Sequence, residues 1–245
     1  MLSLKDILYR DDSLVIICKP AGLLVHPSYI DKSETESAMK QLRDLIGQWV
    51  YPVHRLDKAT SGVLVFALSS DSAKLVADAF AGREVTKTYL ALVRGYTREA
   101  EIIDYPLKDI WDKTTDRAKS RNNPAKEAIT EYARLATTEL PVAVRPHPSA
   151  RYSLLRVTPH TGRNRQIRRH MKHIFHHLIG DHRYGDGHHN QMLSEQYDCN
   201  RMMLHAHTIT FKHPVNGQTM TITAPLPADF TDVLDRIGIN TQLTE

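Results

Sequence analysis

The sequence predicts an α+β fold, in which strands and helices do not alternate regularly. Short apolar runs bounded by proline and glycine fill the first quarter of the chain. Further strand-like runs are concentrated in the second half and are followed by one amphipathic helix. With 245 residues, of which 41% are hydrophobic, the chain can bury a sizeable core. We therefore expect one compact domain over residues 1–245, with small subdomains at most.

The N-terminal elements can be predicted in order. Two strands are expected at residues 14–18 and 23–27, joined by a Pro-Gly turn. Helical spacing of apolar residues predicts a helix over residues 36–47, which ends at Gly47. A second helix begins at Ser70 or Asp71 and ends at Gly82.

Between these helices lies the segment 54–62, followed by a β-rich run over residues 63–68. Asp57 is therefore expected in a loop that leads into a strand. Further strands are predicted at residues 88–94, 129–135, 152–157, 206–211 and 219–222, and a last helix through Phe230, Val233, Leu234 and Ile237. The polar stretch over residues 108–126 has the character of a long functional or mobile excursion.

Positive charge is concentrated in one part of the chain. The net charge is only +4, but residues 145–183 contain nine arginines and lysines and a single acid, Asp181. A basic stripe on a slightly acidic body is the electrostatic footprint of a polyanion-binding protein.

The two cysteines, Cys18 and Cys199, have no metal or disulfide spacing, and no apolar run is long enough to span a bilayer. We expect a cytoplasmic protein without a membrane role.

A helix over residues 164–178 would carry much of this charge. Its apolar face comprises Ile167, Met171, Ile174 and Leu178, and its opposite face comprises Arg165, Arg169, Lys172 and His176. A basic face of this kind has three interpretations: the solvated side of a core helix, a helix that binds a membrane surface or a partner, or a helix that contacts phosphates. Arg168 lies at the edge of the apolar face, and a partly buried guanidinium needs a carboxylate partner. We expect that partner to be Asp57.

Two kinds of cofactor are not expected. No glycine cluster follows a strand and opens a helix, so a nucleotide cofactor is not indicated. His170, His173, His176 and His177 have spacings that could place them on one helix face, but no carboxylate completes a metal motif, and we expect no metal. By itself, Asp57 before a Thr-Ser-Gly turn would most often be a turn or capping residue.

The motifs taken together change that interpretation. His54-Arg55-Leu56-Asp57 followed by Thr60-Ser61-Gly62 closely resembles the catalytic signature of the RluA-type pseudouridine synthases. Other blocks similar to that family occur on both sides of this segment, in the family's order, at residues 19–26, 87–89, 161–163, 166–168, 180–181 and 204–206. The resemblance implies the pseudouridine synthase fold, with a central, mostly antiparallel mixed sheet flanked by helices and loops, and an active-site cleft across the sheet.

Within that family, residues 134–137, 139–143 and 168–170 resemble the tRNA pseudouridine(65) synthases. As in that branch, we expect no separate S4 RNA-binding domain before the catalytic part. Asn164-Arg165 and His177 depart from the usual family pattern. The alternatives are a relative that acts on ribosomal RNA or on both RNAs, and a non-catalytic RNA-binding or ribosome-assembly module. A methyltransferase is not supported, because the chain has no glycine-rich nucleotide loop.

The resemblance also implies roles for individual residues. Asp57, Tyr89 and Arg168 would be catalytic: Asp57 attacks covalently or deprotonates the ribose, and Tyr89 stacks on the uracil and helps to take the C5 proton. Arg55 would occupy the space left by the flipped base, beside His54. Ile167 would line the pocket, and Arg163, Arg165, Arg169 and Lys172 would contact phosphates. The expected partner is tRNA, or rRNA in the alternative, with no cofactor, metal or protein partner.

Overall fold

The computed structural model describes residues 1–26, 36–110, 124–240 and residue 242. These residues form two compact units. Unit 1 comprises Met1–Lys87, Lys108–Lys126 and Ala206–Pro225, and unit 2 comprises Thr88–Leu107, Glu127–His205 and Leu226–Glu245. Both units are therefore built from stretches that are distant in sequence.

The described residues contain ten strands and five α-helices. The strands are β1 (Ile7–Arg10), β2 (Leu14–Lys19), β3 (Tyr51–Pro52), β4 (Ser61–Ala67), β5 (Thr86–Arg94), β6 (Ala100–Asp104), β7 (Ile129–Leu140), β8 (Ala150–Pro159), β9 (Leu204–Lys212) and β10 (Thr219–Thr223). The helices are α1 (Ala38–Ile46), α2 (Ser70–Ala81), α3 (Gln166–His173), α4 (Gly187–Tyr197) and α5 (Ala228–Arg236).

Unit 1 is built on β1, β2, β4 and β9, in that order, with β3 paired to β4 and β10 paired to β9. The pairing of β2 with β4 is antiparallel and runs from Leu14 opposite Ala67 to Lys19 opposite Gly62. Every residue of β4 is buried, and Val76 of α2 packs against its apolar side chains. Gly62 has a φ of +114°, and a Cβ there would lie 2.1 Å from the Ala206 carbonyl oxygen. Only glycine permits this close approach at the start of β4.

Unit 2 is built on β5, β8, β7 and β6, which are neighbours in that order and antiparallel. Its core lies between the inner faces of β5 and β8 and the apolar faces of α4 and α5. It includes Leu92, Tyr152, Leu193, Phe230 and Leu234, each fully buried. The spacing of Phe230, Val233 and Leu234 places them on one face of α5, as the sequence predicts.

Several predicted elements are confirmed. Helices α1 and α2 follow Ser37 and Ser69, whose side chains accept hydrogen bonds from backbone N–H groups of the first turn. Gly47 ends α1 in the left-handed conformation. The strands predicted at residues 14–18, 63–68, 88–94, 129–135, 152–157, 206–211 and 219–222 correspond to β2, β4, β5, β7, β8, β9 and β10.

Two predictions are wrong. Residues 23–26 form no strand, because Leu24 makes only a single parallel bridge, to Ser37, and Pro27 lies outside the described residues. The helix predicted over residues 164–178 ends at His173. Phe175 takes a left-handed φ of 62°, and the His176 N–H closes the helix end on the Met171 carbonyl. Leu178 instead bridges Val93 of β5.

Strands β1, β3 and β6 and helix α4 were not predicted. Most of the excursion over residues 108–126 lies outside the described residues. None of the helices in the described ranges has the length and apolar character needed to cross a bilayer.

Candidate active site

Asp57 lies in the loop that connects β3 to β4, as predicted, and its side chain is partly exposed. The Thr60 N–H donates to the Asp57 carbonyl oxygen at 3.0 Å, which closes a turn. Leu56 and Thr60, on either side of this turn, are 6% and 3% exposed. The loop is therefore anchored at both ends while Asp57 itself reaches the surface.

The buried side chain of Lys19 holds this loop in place through hydrogen bonds. Lys19, at the end of β2, is fully buried, and its Nζ donates to the carbonyl oxygens of Pro20 at 2.7 Å and Leu23 at 2.8 Å. A third bond, of 3.1 Å, reaches the carbonyl oxygen of Lys58, the residue after Asp57. The Gly22 N–H donates to the same oxygen at 2.8 Å. Two donors, Lys19 at the end of β2 and Gly22 in the turn after it, therefore fix the backbone directly after Asp57.

His54 is engaged inside the fold. Its Nε2 accepts a hydrogen bond of 3.0 Å from the Val65 N–H, and its ring stacks on Phe80 with centroids 4.8 Å apart. Burial, with a smaller contribution from the nearby Lys87 ammonium, lowers the pKa of His54 to about 3. The imidazole is therefore neutral, and its observed role is to hold the loop to β4. The prediction that it also contacts substrate stays a prediction, as does the role of Arg55, which is exposed.

In unit 2, Tyr89 lies on β5 directly opposite Val157 of β8, and its side chain is partly buried. The neighbouring residues Leu90 and Ala91 are fully buried in the sheet. The backbone of Tyr89 is therefore part of a rigid strand ladder, which fixes the position from which its side chain projects.

Arg168 makes a buried, two-point ion pair with Asp181. Its Nε lies 2.6 Å from Oδ2 and its Nη2 lies 2.8 Å from Oδ1, with the two side chains 11% and 0% exposed. Burial alone would raise the pKa of Asp181, but hydrogen bonds from Arg168 and from backbone N–H groups outweigh it and hold that pKa below its ordinary value. Arg168 thus has the carboxylate partner that its position demands. That partner is Asp181, while the expected pair with Asp57 stays a prediction.

A buried polar network fixes the start of α3. The Gln166 Oε1 accepts from the Thr161 hydroxyl at 2.7 Å and from the Arg163 N–H at 2.9 Å. Its Nε2 donates to the Ile129 carbonyl and to the Thr130 hydroxyl, both at 2.9 Å. Gln166 therefore uses both ends of its amide to hold the helix to β7.

The network continues into His170, which is fully buried. Its Nε2 lies 3.0 Å from the Tyr105 carbonyl oxygen, which can only accept, so Nε2 carries the proton. Its Nδ1 then accepts from the Thr130 hydroxyl at 2.9 Å. Helix α3 is held at both its first and second turns, and this fixes where Arg168 projects.

The remaining predicted RNA-contacting residues differ in their surroundings. Ile167 is 6% exposed, and Arg163 donates from Nε to the Glu127 carbonyl at 2.9 Å. Arg165 caps α3 in a left-handed conformation, and one of its buried guanidinium nitrogens has no hydrogen-bond partner among the described residues. Arg169 bonds the Asn164 carbonyl at 3.4 Å, and Lys172 is exposed. Their contacts with RNA remain predictions.

Histidines of this region are used within the fold. His176 lies beyond α3 rather than on its basic face, and its Nδ1 bonds the Arg94 carbonyl at 2.8 Å. Within the ranges that the structure describes, no three side chains of histidine, cysteine, aspartate or glutamate are grouped as metal ligands would be.

Comparison with known proteins identifies the class. Residues 13–173 match the model of the RNA pseudouridylate synthase family. This stretch includes the Asp57 loop, Tyr89 and α3, and the chain belongs to that family. It is an RNA pseudouridine synthase, an isomerase that converts uridine to pseudouridine.

Individual relatives are similar over almost their whole length. The chain is 50% identical to tRNA pseudouridine synthase C of Haemophilus ducreyi over 233 residues, which cover 95% of this chain and 96% of that protein. It is 47% identical to tRNA pseudouridine synthase C of Vibrio cholerae over 233 residues, with 95% and 96% covered.

Solved structures agree with the predicted fold. Human RNA pseudouridylate synthase domain containing 4 has a TM-score of 0.69 at 27% identity, covering 95% of this chain and 93% of that chain. Human RNA pseudouridylate synthase domain containing 1 has a TM-score of 0.68 at 26% identity, covering 91% and 83%. The α+β pseudouridine synthase fold predicted from the sequence is confirmed.

Proposed function

We propose that this protein isomerises uridine to pseudouridine in transfer RNA, and that its target is uridine 65. The observation that carries this proposal is the near full-length likeness, at 42 to 50% identity, to proteins named tRNA pseudouridine synthase C. Position 65 rests on the resemblance of residues 134–137, 139–143 and 168–170 to the branch that modifies that uridine.

The reaction is an isomerisation, so substrate and product have the same composition. The N1–C1′ bond of the uridine breaks, a C5–C1′ bond forms, C5 loses its proton and N1 gains one. No electrons are transferred to or from a cofactor, so side chains suffice. Asp57 either attacks the ribose or removes one of its protons, and both routes require an ionised carboxylate. The hydrogen bond from Lys19 Nζ to the Lys58 carbonyl oxygen supports this role, because it fixes the backbone beside the reacting group.

The other catalytic roles are assigned from the same family motifs. Tyr89 stacks on the target uracil and assists removal of the C5 proton. Arg168 is the proposed basic residue of the reaction, and Asp181 orients its guanidinium group. Arg55, exposed beside Asp57, occupies the space that the flipped nucleotide leaves. Extruding the base costs a few kcal/mol, which contacts of this kind offset.

The basic stretch over residues 145–183 supports RNA as the partner through phosphate contacts. Arg163, Arg165, Arg169 and Lys172 are the proposed contacts, and Ile167 is the proposed apolar wall. We propose that residues 1–245 act as one catalytic domain in the cytoplasm. The ribosomal RNA alternative shares the catalytic motifs, and only the substrate distinguishes it.

The decisive experiment is carbodiimide mapping of pseudouridine in transfer and ribosomal RNA from cells that lack this protein. We expect the signal at tRNA position 65 to disappear and to return when the wild-type protein is supplied. A missing ribosomal site with position 65 intact would favour the ribosomal alternative. Loss of no site would favour the non-catalytic RNA-binding module.

Asp57→Asn tests the catalytic assignment separately. We expect this variant to release no tritium from RNA that contains 5-tritiated uridine, while it binds the RNA with nearly wild-type affinity. Asp12→Asn, which changes an exposed aspartate in the turn before β2, is the matched control. Substantial turnover by Asp57→Asn would contradict the assignment of Asp57 as the catalytic carboxylate.

A further inference from the structure

Three cationic groups surround one aromatic ring in unit 2. The ring centroid of Tyr184 lies 5.2 Å from Cζ of Arg168, 5.9 Å from Nζ of Lys172 and 5.7 Å from Cζ of Arg183. All three distances fall within the range of about 6 Å over which a cation is attracted to an aromatic face. The Tyr184 ring is therefore a shared neighbour of three positively charged groups.

Only one of the three charges is neutralised nearby. Asp181 is bound at two points by Arg168, so that pair carries no net charge. Lys172 and Arg183 are exposed, and neither forms an ion pair with a carboxylate in the part of the chain that the structure describes. Two positive charges are thus left at the surface beside the buried pair.

The backbone that presents these groups is fixed. Asp181 Oδ1 accepts hydrogen bonds from the N–H groups of Arg183 at 2.9 Å and of Tyr184 at 3.0 Å. The Gly185 N–H donates to the Asp181 carbonyl at 2.9 Å, and a Cβ at Gly185 would lie 2.1 Å from that oxygen. The same carboxylate therefore orients Arg168 and shapes the turn that carries Arg183 and Tyr184. A site that is already formed loses little entropy when it binds.

We propose that Lys172, Arg183 and the Tyr184 ring form a binding site for one phosphodiester group of the substrate RNA. The ammonium group of Lys172 supplies a point charge, and the guanidinium group of Arg183 can donate two hydrogen bonds to phosphate oxygens. The Tyr184 ring holds both cations in place. The proposal rests on the RNA-modifying function, and it adds Arg183 and Tyr184 to the contacts expected from the sequence.

The first test is the salt dependence of RNA binding by the Lys172→Gln/Arg183→Gln double variant. Loss of one phosphate contact should reduce the slope of log affinity against log salt by about 0.9 if the duplex behaves as B-DNA does, or by about 0.7 for a single strand. Between 50 and 200 mM salt, a slope change of 0.9 means that the variant loses about 3.5-fold less affinity than the wild type. Arg98→Gln is the charge control, because Arg98 is exposed and already pairs with Glu101. An unchanged slope in the double variant, or an equal change in the control, would overturn the proposal.

The ring is tested by a matched pair of substitutions. Tyr184→Phe keeps the aromatic face and should bind RNA with nearly wild-type affinity and salt slope. Tyr184→Leu removes the face and should change the slope toward that of the double variant, with thermal unfolding as the check on folding. If Leu and Phe behave alike while both remain folded, the ring does not organise the site.

Neutral methylphosphonate linkages, introduced one at a time along the RNA, locate the contact. One linkage should weaken binding of the wild-type protein and have no further effect on the double variant. If every linkage affects both proteins equally, the proposed site is wrong. Binding is measured without turnover, so the result does not depend on isomerisation. Absence of pseudouridine from transfer RNA treated with the wild-type protein would contradict only the proposed function.

Discussion

The buried ammonium group of Lys19 donates a hydrogen bond to the carbonyl oxygen of Lys58, the residue that directly follows Asp57. Lys19 belongs to β2 and Lys58 to the loop before β4, so the bond ties the Asp57 loop to the neighbouring strand. This contact gives the lysine of the 19–26 block a physical role, as a donor that positions the aspartate loop from inside the fold.

Replacing Lys19 with methionine should therefore affect both stability and turnover. Three carbonyl oxygens would lose their shared donor, and we expect the free energy of unfolding to fall by roughly 3 kcal/mol. Urea denaturation measures this loss, and tritium release at a temperature where the variant is folded measures turnover, which should fall at least tenfold. Lys74→Met, on the exposed face of α2, should change neither quantity. Wild-type turnover in folded Lys19→Met would show that the hydrogen bonds of Lys19 do not position Asp57.

Asp181→Asn should destabilise the protein in a pH-dependent way. Removing the charge from the buried pair with Arg168 should cost roughly 3 kcal/mol near pH 7. The pKa of Asp181 is lowered in the folded state, so its contribution is fully present above the ordinary carboxyl pKa of about 3.9 and is lost as the pH falls through the lower folded value. The unfolding free energies of wild type and variant should thus converge below pH 4. Asp232→Asn, at an exposed position of α5, is the control, and a difference that does not depend on pH would contradict this account.

His54 should make stability depend on pH in a different window. Its pKa is about 3 in the folded protein against about 6.5 in the unfolded chain. Below pH 6.5 the unfolded chain takes up a proton that the folded protein does not, so stability falls as the pH is lowered. His54→Gln keeps a hydrogen-bond acceptor for the Val65 N–H but cannot titrate in this range. Its denaturation midpoint should change less than that of wild type between pH 7.5 and 5.5.

The matched control for His54 is His188→Gln, which changes an exposed histidine near the start of α4. This variant should follow the wild-type pH profile. Equal pH profiles for wild type and His54→Gln would mean that folding does not lower the pKa of His54.

The polar network under α3 predicts coupling between Thr130 and Gln166. Thr130→Val removes both a donor to His170 and an acceptor for Gln166, and should lower the free energy of unfolding by about 1–3 kcal/mol. Adding Gln166→Leu should cost less in this background than alone, because the two residues share a bond. Urea denaturation of the single and double variants gives the coupling, and Thr137→Val on the exposed part of β7 is the control. Strict additivity would show that the network does not act as a unit.

Much of the fold could be predicted from sequence because local patterns determine it. Serines 37 and 69 cap α1 and α2, and the apolar run of β4 is buried on both faces. The end of α3 could not be predicted, because Phe175 takes a conformation that usually requires glycine, and Ile174 continues the apolar spacing. The short strands β1 and β6 carry too few residues for a clear alternation.

The candidate site was predictable in its residue types but less so in its pairings. The position of Arg168 at the edge of an apolar face correctly indicated a carboxylate partner. That Asp181 fills this role depends on the turn between α3 and α4, whose shape no local pattern specifies. Asp181 was nevertheless conspicuous as the single acid among nine basic residues. The burial of Lys19 gave no comparable signal, because a lysine after a strand is usually solvated.

The division of unit 1 among distant stretches has a consequence for synthesis of the protein. The Asp57 loop and β4 are made early, but Ala206, which approaches Gly62 at the start of β4, is made more than 140 residues later. A ribosome-bound chain that stops before residue 206 thus lacks β9 and leaves one side of β4 uncovered. Unit 1 therefore cannot be completed until β9 has been synthesised, although most of its residues lie among the first 87.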